Sequence, residues 1–460
     1  MIRQTLSYVA SVTGGTLAGA DATFVGVTTD SRHMSPGGLF IPLIGERFDG
    51  HDYCETAVEY GAAGFLWKKG TKLPDALRFS SYVEVDDTQK ALQDLAKAYR
   101  KSLPIKVVGV TGSNGKTSTK DLLAGVLSQR YNTYKTEGNF NNHIGLPLSI
   151  LSLDDSVEIA VLEMGMSGLG EISVLADIAK PEIGVITNIG EAHIGLLGSR
   201  DAIAQAKWEL IASLPAGGVA ILPADEPLLE SRVVPAGVRT LWIGDGVRAS
   251  LTLQDYHSEE PSGSSFKIAG SPQIFHLPVP GAHQARNALS AIAVGDFLGV
   301  SREDAARGLA NVALTKMRME VLAVSDKLVI INDAYNAAPL SVRAALDVLK
   351  DSIGDVRIAV LGDMLELGDE TIRMHEEVGA AAAISKADVL LAVGQFADSY
   401  ARGWLLQQGD SNRPVRTART AKEAAQDLKQ VLAQYGDKRC VVLVKGSRRV
   451  GLEHVVDVLK

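Results

Sequence analysis

A glycine-rich loop between an apolar run and an amphipathic segment constrains the fold of this chain more than any other feature. The apolar run is Ile105 to Val110, and the loop reads Thr111-Gly112-Ser113-Asn114-Gly115-Lys116-Thr117. Such a loop between a strand and a helix presents backbone N–H groups and the positive end of the helix dipole to an anion. Lys116 adds a positive charge, and the Thr117 hydroxyl can hold Mg²⁺. The pattern therefore predicts a phosphate-binding loop in an α/β fold.

The loop differs from the longer Walker motif at one position. A Walker loop has a small residue five positions before Gly115, where this chain has Val110. A glycine-rich turn with an exposed lysine is the alternative interpretation, but strand, loop and helix in register favour phosphate binding. The loop alone does not distinguish a kinase, a GTPase and a ligase.

Length, charge and cysteine content narrow the class of protein. With 460 residues the chain exceeds what one hydrophobic core usually supports, so two or three domains are expected. A net charge of −8 without a basic run argues against general nucleic-acid binding. Two cysteines with neither metal-ligand nor disulfide spacing fit a reducing cytosol. The apolar run Leu6 to Val12 is broken by Gly14 and Gly15, so we expect no signal peptide, no membrane insertion and a cytoplasmic location.

Three regions differ in their pattern of apolar runs. Residues 1–102 mix short runs with turn signals and end in a helix predicted over Thr88 to Ser102, so we expect a small α/β domain. In residues 103–314, apolar strands alternate with helical segments, which predicts a parallel sheet covered on both faces. In residues 315–460 the alternation begins again and predicts a Rossmann-like, doubly wound domain.

Individual elements follow from the same runs. A polar insertion at 255–265 is expected to be a surface loop or hairpin. The predicted strands are 105–110, 159–162, 183–186, 219–222, 328–331, 357–361, 389–393 and 440–444.

Candidate functional side chains follow two strands of the central region. Because ligands of open parallel sheets bind beyond the carboxyl ends of the strands, Glu163 and His193 can face a triphosphate and its Mg²⁺. Glu163 offers the oxygen ligand that Mg²⁺ prefers. Imidazole suits softer metals, so spacing alone does not separate a ligand role for His193 from an ordinary hydrogen bond. Lys207 lies on a predicted helix, where most lysines are solvated.

Polar clusters give further candidates. Asn139 to His143 is a run that usually forms a turn, although it can also supply amide groups to a polar ligand. Clusters at 332–336, 362–366 and 445–449 follow three predicted strands, so one ligand-facing edge is expected. The last cluster is basic and suits a carboxylate or phosphate, with a solvated charge run as the alternative.

The loop and these clusters together resemble the Mur ligases, which attach amino acids to the peptidoglycan precursor. The resemblance covers nearly the whole chain, and it rests on Thr111 to Thr117 and on segments 29–32, 48–51, 136–142, 163–165, 188–193 and 283–288. Segments 333–336 and 361–368 are similar to those of family members that add D-alanyl-D-alanine. Where those members usually carry Asn or Ser this chain has Ala338, so we leave that position out of the site.

The resemblance implies a ligase that uses ATP and Mg²⁺ to join D-alanyl-D-alanine to a UDP-N-acetylmuramoyl tripeptide, and we expect a monomer. It implies that residues 1–102 bind the UDP-sugar acceptor, 103–314 bind ATP, and 315–460 close over ATP and bind the dipeptide. The implied catalytic residues are Lys116, Glu163, His193 and Lys207, and the implied metal ligands are Thr117, Glu163, His193 and a carbamate of Lys207. The implied ATP-binding residues are Thr111, Gly112, Ser113, Asn114, Gly115, Lys116, Thr117, Ser118, Asn287, Arg318 and Asp333. The implied substrate-binding residues are Ser31, Arg32, Asp49, His51, Thr136, Asn139, Asn142, Tyr335, Asn336 and Ser447.

Two alternatives stay open at this point. A folylpolyglutamate synthase shares the phosphate loop but should lack the signatures at 333–336 and 361–368. A nucleotide-switched binding protein would need the loop but has no use for Glu163, His193 and Lys207 together. For a ligase we expect the C-terminal domain to close over the central one, with Lys316 to Met319 near the hinge.

Overall fold

Three sheet-based units follow one another along the chain in the computed structural model, which describes residues 1–259 and 262–460. The α-helices are α1 (Leu6–Thr13), α2 (Cys54–Glu59), α3 (Thr88–Ser102), α4 (Lys116–Leu127), α5 (Gly145–Leu151), α6 (Glu171–Ala179), α7 (Ile194–Leu197), α8 (Arg200–Ala212), α9 (Pro227–Glu230), α10 (Ala282–Leu298), α11 (Arg302–Ala310), α12 (Pro339–Asp351), α13 (Thr371–Ile384), α14 (Ala397–Gln408), α15 (Ala421–Tyr435) and α16 (Glu453–Leu459). The strands are β1 (Arg3–Thr5), β2 (Thr16–Ala18), β3 (Thr23–Val25), β4 (Val27–Thr28), β5 (Leu39–Phe40), β6 (Gly64–Lys68), β7 (Tyr82–Val85), β8 (Lys106–Thr111), β9 (Thr133–Lys135), β10 (Ile159–Glu163), β11 (Ile183–Ile186), β12 (Val219–Pro223), β13 (Arg239–Ile243), β14 (Leu253–Glu259), β15 (Gly263–Ile268), β16 (Ile274–Leu277), β17 (Glu320–Ser325), β18 (Leu328–Asp333), β19 (Val356–Gly362), β20 (Val389–Val393), β21 (Val415–Ala418) and β22 (Cys440–Lys445).

The first unit is a small mixed sheet that helix α3 joins to the rest of the molecule. Its strand order is β2-β7-β6-β5-β4, with β2 antiparallel to β7 and the other pairs parallel. The predicted helix over Thr88–Ser102 is confirmed, and the Asp87 side chain caps it by accepting a hydrogen bond from the N–H of Lys90. On the same helix, the Tyr99 hydroxyl donates to the carbonyl of Leu153 at 2.8 Å. Helix α3 therefore holds the first unit against the central one.

The central unit is a six-stranded, fully parallel sheet of order β13-β12-β11-β8-β10-β9. The predicted central strands are confirmed, with ends that differ by one residue at most. Helices α4 and α10 pack on one face, and α6 and α8 pack on the other. In register, Glu163 lies opposite Val110 and Ile186 lies opposite Thr111, so three strands end at one edge beside the glycine loop.

The predicted insertion is a hairpin of β14 and β15, which β16 extends to a three-stranded antiparallel sheet. Residues 260 and 261 of the predicted segment lie outside the described residues. The hairpin stands at the β13 side of the central sheet, and Ile243 at the end of β13 forms a bridge with Leu251 just before it.

The third unit is the predicted doubly wound domain. Its strand order is β17-β18-β22-β19-β20-β21, and all pairs are parallel except the edge pair of β17 and β18. Helices α12, α13 and α14 cover one face, and α15 and α16 cover the other. A single apolar cluster continues from α4 and α10 of the central unit into α12 and β18, so the two units pack directly on each other. No helix within the described residues combines the length and apolar character needed to cross a membrane.

Candidate active site

The glycine loop is shaped by its own backbone and by one asparagine. Gly115 has φ 79°, and a Cβ at this position would lie 2.8 Å from the Asn287 side-chain oxygen, so only glycine fits. The Asn188 side chain accepts a hydrogen bond from the N–H of Asn114 at 3.0 Å and donates to its carbonyl at 2.8 Å. Helix α4 then begins at Lys116, so the loop lies at the positive end of a helix of twelve residues. The loop is therefore held ready to receive an anion.

Lys116 folds back over this loop. Its Nζ donates to the carbonyl of Gly112 at 2.8 Å. Burial lowers the pKa of Lys116, while the nearby Glu163 carboxylate acts in the opposite direction and Arg318 lowers it further. A phosphate bound in the loop would place a negatively charged partner next to this buried amine.

Glu163 fits the role of a cation ligand. It ends β10, and its Oε1 accepts a hydrogen bond from Asn141 Nδ2 at 2.8 Å. Its Oε2 is buried and has no hydrogen-bond partner among the described residues. A buried carboxylate oxygen without a donor is costly unless a cation binds it, and Mg²⁺ prefers such oxygens. The Thr117 hydroxyl is also buried, at the start of the neighbouring helix. The donor set therefore fits a hard divalent cation.

Arg318 connects the third unit to the phosphate loop. Its Nη2 donates to the Thr117 hydroxyl at 3.2 Å, and its guanidinium lies 4.1 Å from the centre of the Tyr335 ring. Asp333 lies alongside, where its Oδ1 accepts from the N–H of Met319 at 3.1 Å and its Oδ2 lies 2.5 Å from Lys445 Nζ. Burial lowers the pKa of Lys445, and Asp333 opposes that shift. The predicted ATP residues Arg318 and Asp333 thus lie together, and Asp333 is already balanced by a lysine.

His193 faces the third unit. Its Nδ1 lies 2.5 Å from Glu366 Oε2, and this contact lowers the pKa of the Glu366 carboxyl. His193 has φ 68°, a backbone conformation that favours glycine and occurs often at functional sites. Because the Glu366 carboxylate occupies the Nδ1 side of the ring, Nε2 is the ring nitrogen left to bind a ligand.

Lys207 is buried in the central unit on α8, and 1% of its surface is exposed. Burial lowers the pKa of Lys207 well below its ordinary value, and the nearby charge of Lys116 acts in the same direction. It forms no salt bridge with any described residue. Burial therefore shifts this amine toward its neutral form, which a solvated helical lysine would not show.

One cavity of about 1010 Å³ lies between the central and third units and gathers most of the predicted site. The predicted residues that line it are Ser113, Asn114, Gly115, Lys116, Thr117, Ser118, Asn142, Glu163, His193, Asn287, Arg318, Asp333, Tyr335 and Asn336. The predicted residues outside its lining are Ser31, Arg32, Asp49, His51, Thr111, Gly112, Thr136, Asn139, Lys207 and Ser447.

Several residues outside the lining have identifiable positions. Thr136 accepts a hydrogen bond from the N–H of Glu163 at 3.0 Å through its hydroxyl, so it positions that strand. The Ser447 hydroxyl likewise accepts from the N–H of Leu365 at 3.0 Å. The first unit carries its own cluster, in which buried His51 contacts Asp49 at 2.6 Å and the mostly exposed Arg32 pairs with Asp30. Their substrate roles stay predictions.

Some lining residues were not chosen from the sequence. Asn188 and Lys445 stand at or just beyond strand ends, so their positions carried a usable signal. Tyr256 of the insertion and Asp347 of α12 also line the cavity, and nothing in their local sequence indicates this. Their selection depends on how the insertion sheet and the third unit pack.

A phosphate loop at the carboxyl edge of a parallel sheet, with a doubly wound unit packed over it, defines a nucleotide-binding protein of the P-loop class. Family models narrow this class: Mur ligase family, catalytic domain matches residues 23–100, Mur ligase middle domain matches 110–295, and Mur ligase, glutamate ligase domain matches 317–448. The chain belongs to the Mur ligase family.

Similar proteins span the full length of the chain. A Bacillus subtilis protein named UDP-N-acetylmuramoyl-tripeptide--D-alanyl-D-alanine ligase is 44% identical over 460 residues, which cover 99% of this chain and 98% of that protein. The crystal structure of MurF from Acinetobacter baumannii has a TM-score of 0.91 and 30% identity, and the match covers 100% of this chain and 99% of that one. The structure of MurF ligase from Thermotoga maritima in complex with ADP has a TM-score of 0.81 and 29% identity, with coverage of 95% and 97%.

Proposed function

We propose that this protein is an ATP-dependent ligase that joins D-alanyl-D-alanine to a UDP-N-acetylmuramoyl tripeptide in peptidoglycan precursor synthesis. The observation that carries the proposal is the buried Oε2 of Glu163, which has no hydrogen-bond partner in the described part of the chain and lies beside a preformed phosphate loop. The similarity over the whole chain to proteins named for this reaction supports the choice of substrates. A reaction of a nucleoside triphosphate with a bound cation needs both a phosphate loop and a carboxylate oxygen such as that of Glu163.

The proposed ligation proceeds in two steps. The terminal carboxylate of the tripeptide attacks the γ-phosphorus of ATP, which gives an acyl phosphate and ADP. The amine of the dipeptide then attacks the acyl carbon, loses a proton and releases phosphate. Such phosphoryl transfer asks the protein for positioning and charge neutralisation, not for a nucleophile. Lys116 over the loop and Arg318 beside Thr117 supply positive charge at this place.

We propose that Thr117, Glu163 and His193 hold Mg²⁺, which would neutralise charge on the phosphates when bound. The position of His193 supports a role through Nε2, since its Nδ1 is at Glu366. Lys207 would contribute after its neutral amine reacts with CO₂, which forms an N–C bond, releases a proton and leaves an anionic carbamate with two oxygen ligands. The burial of Lys207, which lowers the pKa of its amine, supports this step, because only the free amine reacts with CO₂.

The remaining predicted residues form four groups in this proposal. The phosphate loop (Thr111 to Ser118) with Asn287, Arg318 and Asp333 binds ATP. Residues 1–102 bind the UDP portion of the acceptor, with the binding residues Ser31, Arg32, Asp49 and His51. The central loop with Thr136, Asn139 and Asn142 meets the acceptor, and residues of the third unit receive the dipeptide: Tyr335, Asn336 and Ser447.

We also propose that residues 315–460 close over residues 103–314 when the substrates bind. An acyl phosphate is hydrolysed by water, so a site that closes protects it. The shared apolar cluster and the contact of Arg318 with Thr117 support a closed arrangement of these two units. Because ATP and a nucleotide-linked acceptor are compounds of the cytoplasm, we place the enzyme there, as a monomer.

Phosphate release with purified protein tests the proposed function. With ATP, Mg²⁺ and the UDP-linked tripeptide, D-alanyl-D-alanine should stimulate release far more than any single amino acid. Equal release with single amino acids would refute the dipeptide assignment and favour another amide ligase. Nucleotide binding without phosphate release under any of these conditions would favour a nucleotide-switched binding protein.

A further inference from the structure

A buried carboxylate on the phosphate-loop helix lies outside the chemistry described above. Asp121, on α4, is 1% exposed and is one helical turn after Thr117. Its Oδ2 accepts two hydrogen bonds from Thr315, from the N–H and from the hydroxyl, both at 2.8 Å. Its Oδ1 lies 2.6 Å from Lys135 Nζ. A carboxylate so fully engaged holds its partners firmly, because releasing them would leave a buried charge unpaired.

One partner of Asp121, Thr315, lies in the linker to the third unit, which is residues 311–319 between α11 and β17. Lys135 Nζ also donates to the carbonyl of Ala313 at 3.2 Å, so two linker residues, 313 and 315, are fastened to the central unit. At its far end, the linker is held by Asp333, which accepts from the N–H of Met319. The linker is therefore anchored by one carboxylate on each side.

Between the two anchors the backbone adopts conformations that side chains disfavour. Met317 has φ 58° and Met319 has φ 55°, both in the left-handed region. Residues with side chains stay in that region only where their surroundings hold them there. Arg318 stands between these two methionines and reaches the Thr117 hydroxyl. The linker therefore contacts α4 twice. Thr315 binds Asp121, and three residues later Arg318 binds Thr117, one helical turn nearer the start of α4.

The same carboxylate is tied to the strand that carries Glu163. Lys120 Nζ lies 3.5 Å from Asp121 Oδ1 and donates to the carbonyl of Thr136 at 2.9 Å. The Thr136 hydroxyl accepts from the N–H of Glu163. Linker, helix and the strand that ends at Glu163 are therefore joined by one continuous set of hydrogen bonds and an ion pair.

We propose that Asp121 is a positioning residue that fixes the pivot of interdomain closure, so that the movement is confined to residues 316–318 and delivers Arg318 to the phosphate loop. This inference rests on the proposed ligase function, since closure is useful only for that reaction. Asp121 itself touches no substrate in this account. Its removal should impair closure and turnover while leaving the open, nucleotide-binding state intact.

Two variants test the pivot. Asp121→Asn removes the charge at constant volume, and Thr315→Val removes only the hydroxyl bond to Oδ2. Asp388→Asn is the matched control, because Asp388 accepts a backbone N–H from Arg357 at 2.7 Å within the third unit and makes no contact with Thr315 or Arg318. For each protein we would measure the dissociation constant for ATP alone, kcat and KM for phosphate release, and compaction by small-angle X-ray scattering with a non-hydrolysable ATP analogue and the acceptor.

The expected result separates binding from turnover. Asp121→Asn should lower kcat at least about tenfold and reduce compaction, while the dissociation constant for ATP changes less than about threefold. Thr315→Val should show a smaller change in the same direction, and Asp388→Asn should match the parent chain. Unchanged kcat and compaction in both linker variants, or an ATP affinity that falls as much as kcat, would overturn the inference. If Asp121→Asn does not fold, Thr315→Val decides by the same criteria.

Failure of the proposed function gives a different pattern. In that case the parent chain itself releases no phosphate with tripeptide and dipeptide. Compaction on addition of the ATP analogue still reports on the pivot, and it should remain weaker in Asp121→Asn than in the parent chain.

Discussion

Gly195 of helix α7 donates its backbone N–H to the carbonyl oxygen of Glu366 at 3.0 Å, which brings the central and third units into direct backbone contact. A Cβ on Gly195 would lie 2.5 Å from the N of Gly368. Two backbones can approach this closely only where a side chain is absent. The Glu366 side chain meets His193, a predicted metal ligand, at the same place. The backbone contact of Gly195 with Glu366 therefore forms only when the central and third units are closed on each other.

Gly195→Ala should therefore impair closure and leave the separate units intact. Within a helix alanine is more favourable than glycine, and the clash arises only when the units meet. We expect kcat for phosphate release to fall at least about tenfold, with ATP affinity and melting temperature close to those of the parent chain. Gly198→Ala is the control, because a Cβ there meets nothing within 4 Å although the residue has φ 80°. Equal kcat for Gly195→Ala and the parent chain would show that this contact does not form during turnover.

Glu163→Gln should weaken metal binding while preserving the fold. Glutamine keeps an oxygen that can accept from Asn141 but removes the negative charge. We expect kcat to fall at least about 100-fold at fixed Mg²⁺, because charge stabilisation by a bound cation amounts to several kcal/mol. A matched control is Glu158→Gln, which lies just before the same strand, where Glu158 accepts from the N–H of Asn132. Calorimetric titration of Mg²⁺ into the ATP complex gives a second measurement, and an unchanged affinity would exclude Glu163 as a ligand.

Lys207→Met should abolish turnover without loss of stability. Methionine fills a similar volume, and it removes an amine that is costly to bury. We expect kcat to fall at least about 100-fold while the melting temperature stays the same or rises, and Lys207→Arg should also be inactive because a guanidinium forms no stable carbamate. Carbon NMR with labelled bicarbonate should show a carbamate signal in the parent chain that Lys207→Met lacks. If kcat of Lys207→Met stays within threefold of that of the parent chain, Lys207 has no catalytic role.

Stability should fall as the pH falls below the ordinary range of histidine, because of buried His375. Its Nε2 accepts from the N–H of Met364 at 3.0 Å and its Nδ1 donates to the carbonyl of Thr371 at 2.6 Å, so the neutral ring is required. Burial lowers the pKa of His375, while Asp363 and the carbonyl of Thr371 act in the opposite direction, and Tyr400 packs edge-on against the ring.

The direction of this pH effect follows from the number of protons that the native and unfolded chains bind. The unfolded chain binds a proton near pH 6.5 and the native chain only at lower pH, so the free energy of unfolding decreases as pH falls below about 6.5. Burial lowers the pKa of His283 to about 4, which adds a contribution of the same sign. Between about pH 7.5 and 5.5, the melting temperature of His375→Gln should change less than that of the parent chain. For the control His454→Gln, at an exposed position, the melting temperature should change with pH as it does in the parent chain. If the melting temperature of His375→Gln also changes as in the parent chain, His375 is not the cause of the pH dependence.

The sequence by itself determined the local parts of the site. The strand, loop and helix around Lys116 follow from an apolar run, glycines and helical spacing, and the helix over Thr88–Ser102 follows from its apolar face and Asp87 cap. The carboxyl ends of β10 and β11 brought Glu163 and the loop of His193 to one edge, because parallel strands end together. Such features depend on residues that are near each other in the chain.

Only the tertiary structure decided which distant groups meet. Asp121 and Thr315 are 194 positions apart, and no local pattern pairs them. His193 meets Glu366 only because the third unit packs on the central one, and Lys445 balances Asp333 because β18 and β22 pair within the third sheet. The burial that lowers the pKa of Lys207 likewise comes from the core of the central unit and not from its helix. The glycine loop is set by short-range backbone geometry, whereas the contact of His193 with Glu366 and the pivot are set by the packing of two separate sheets.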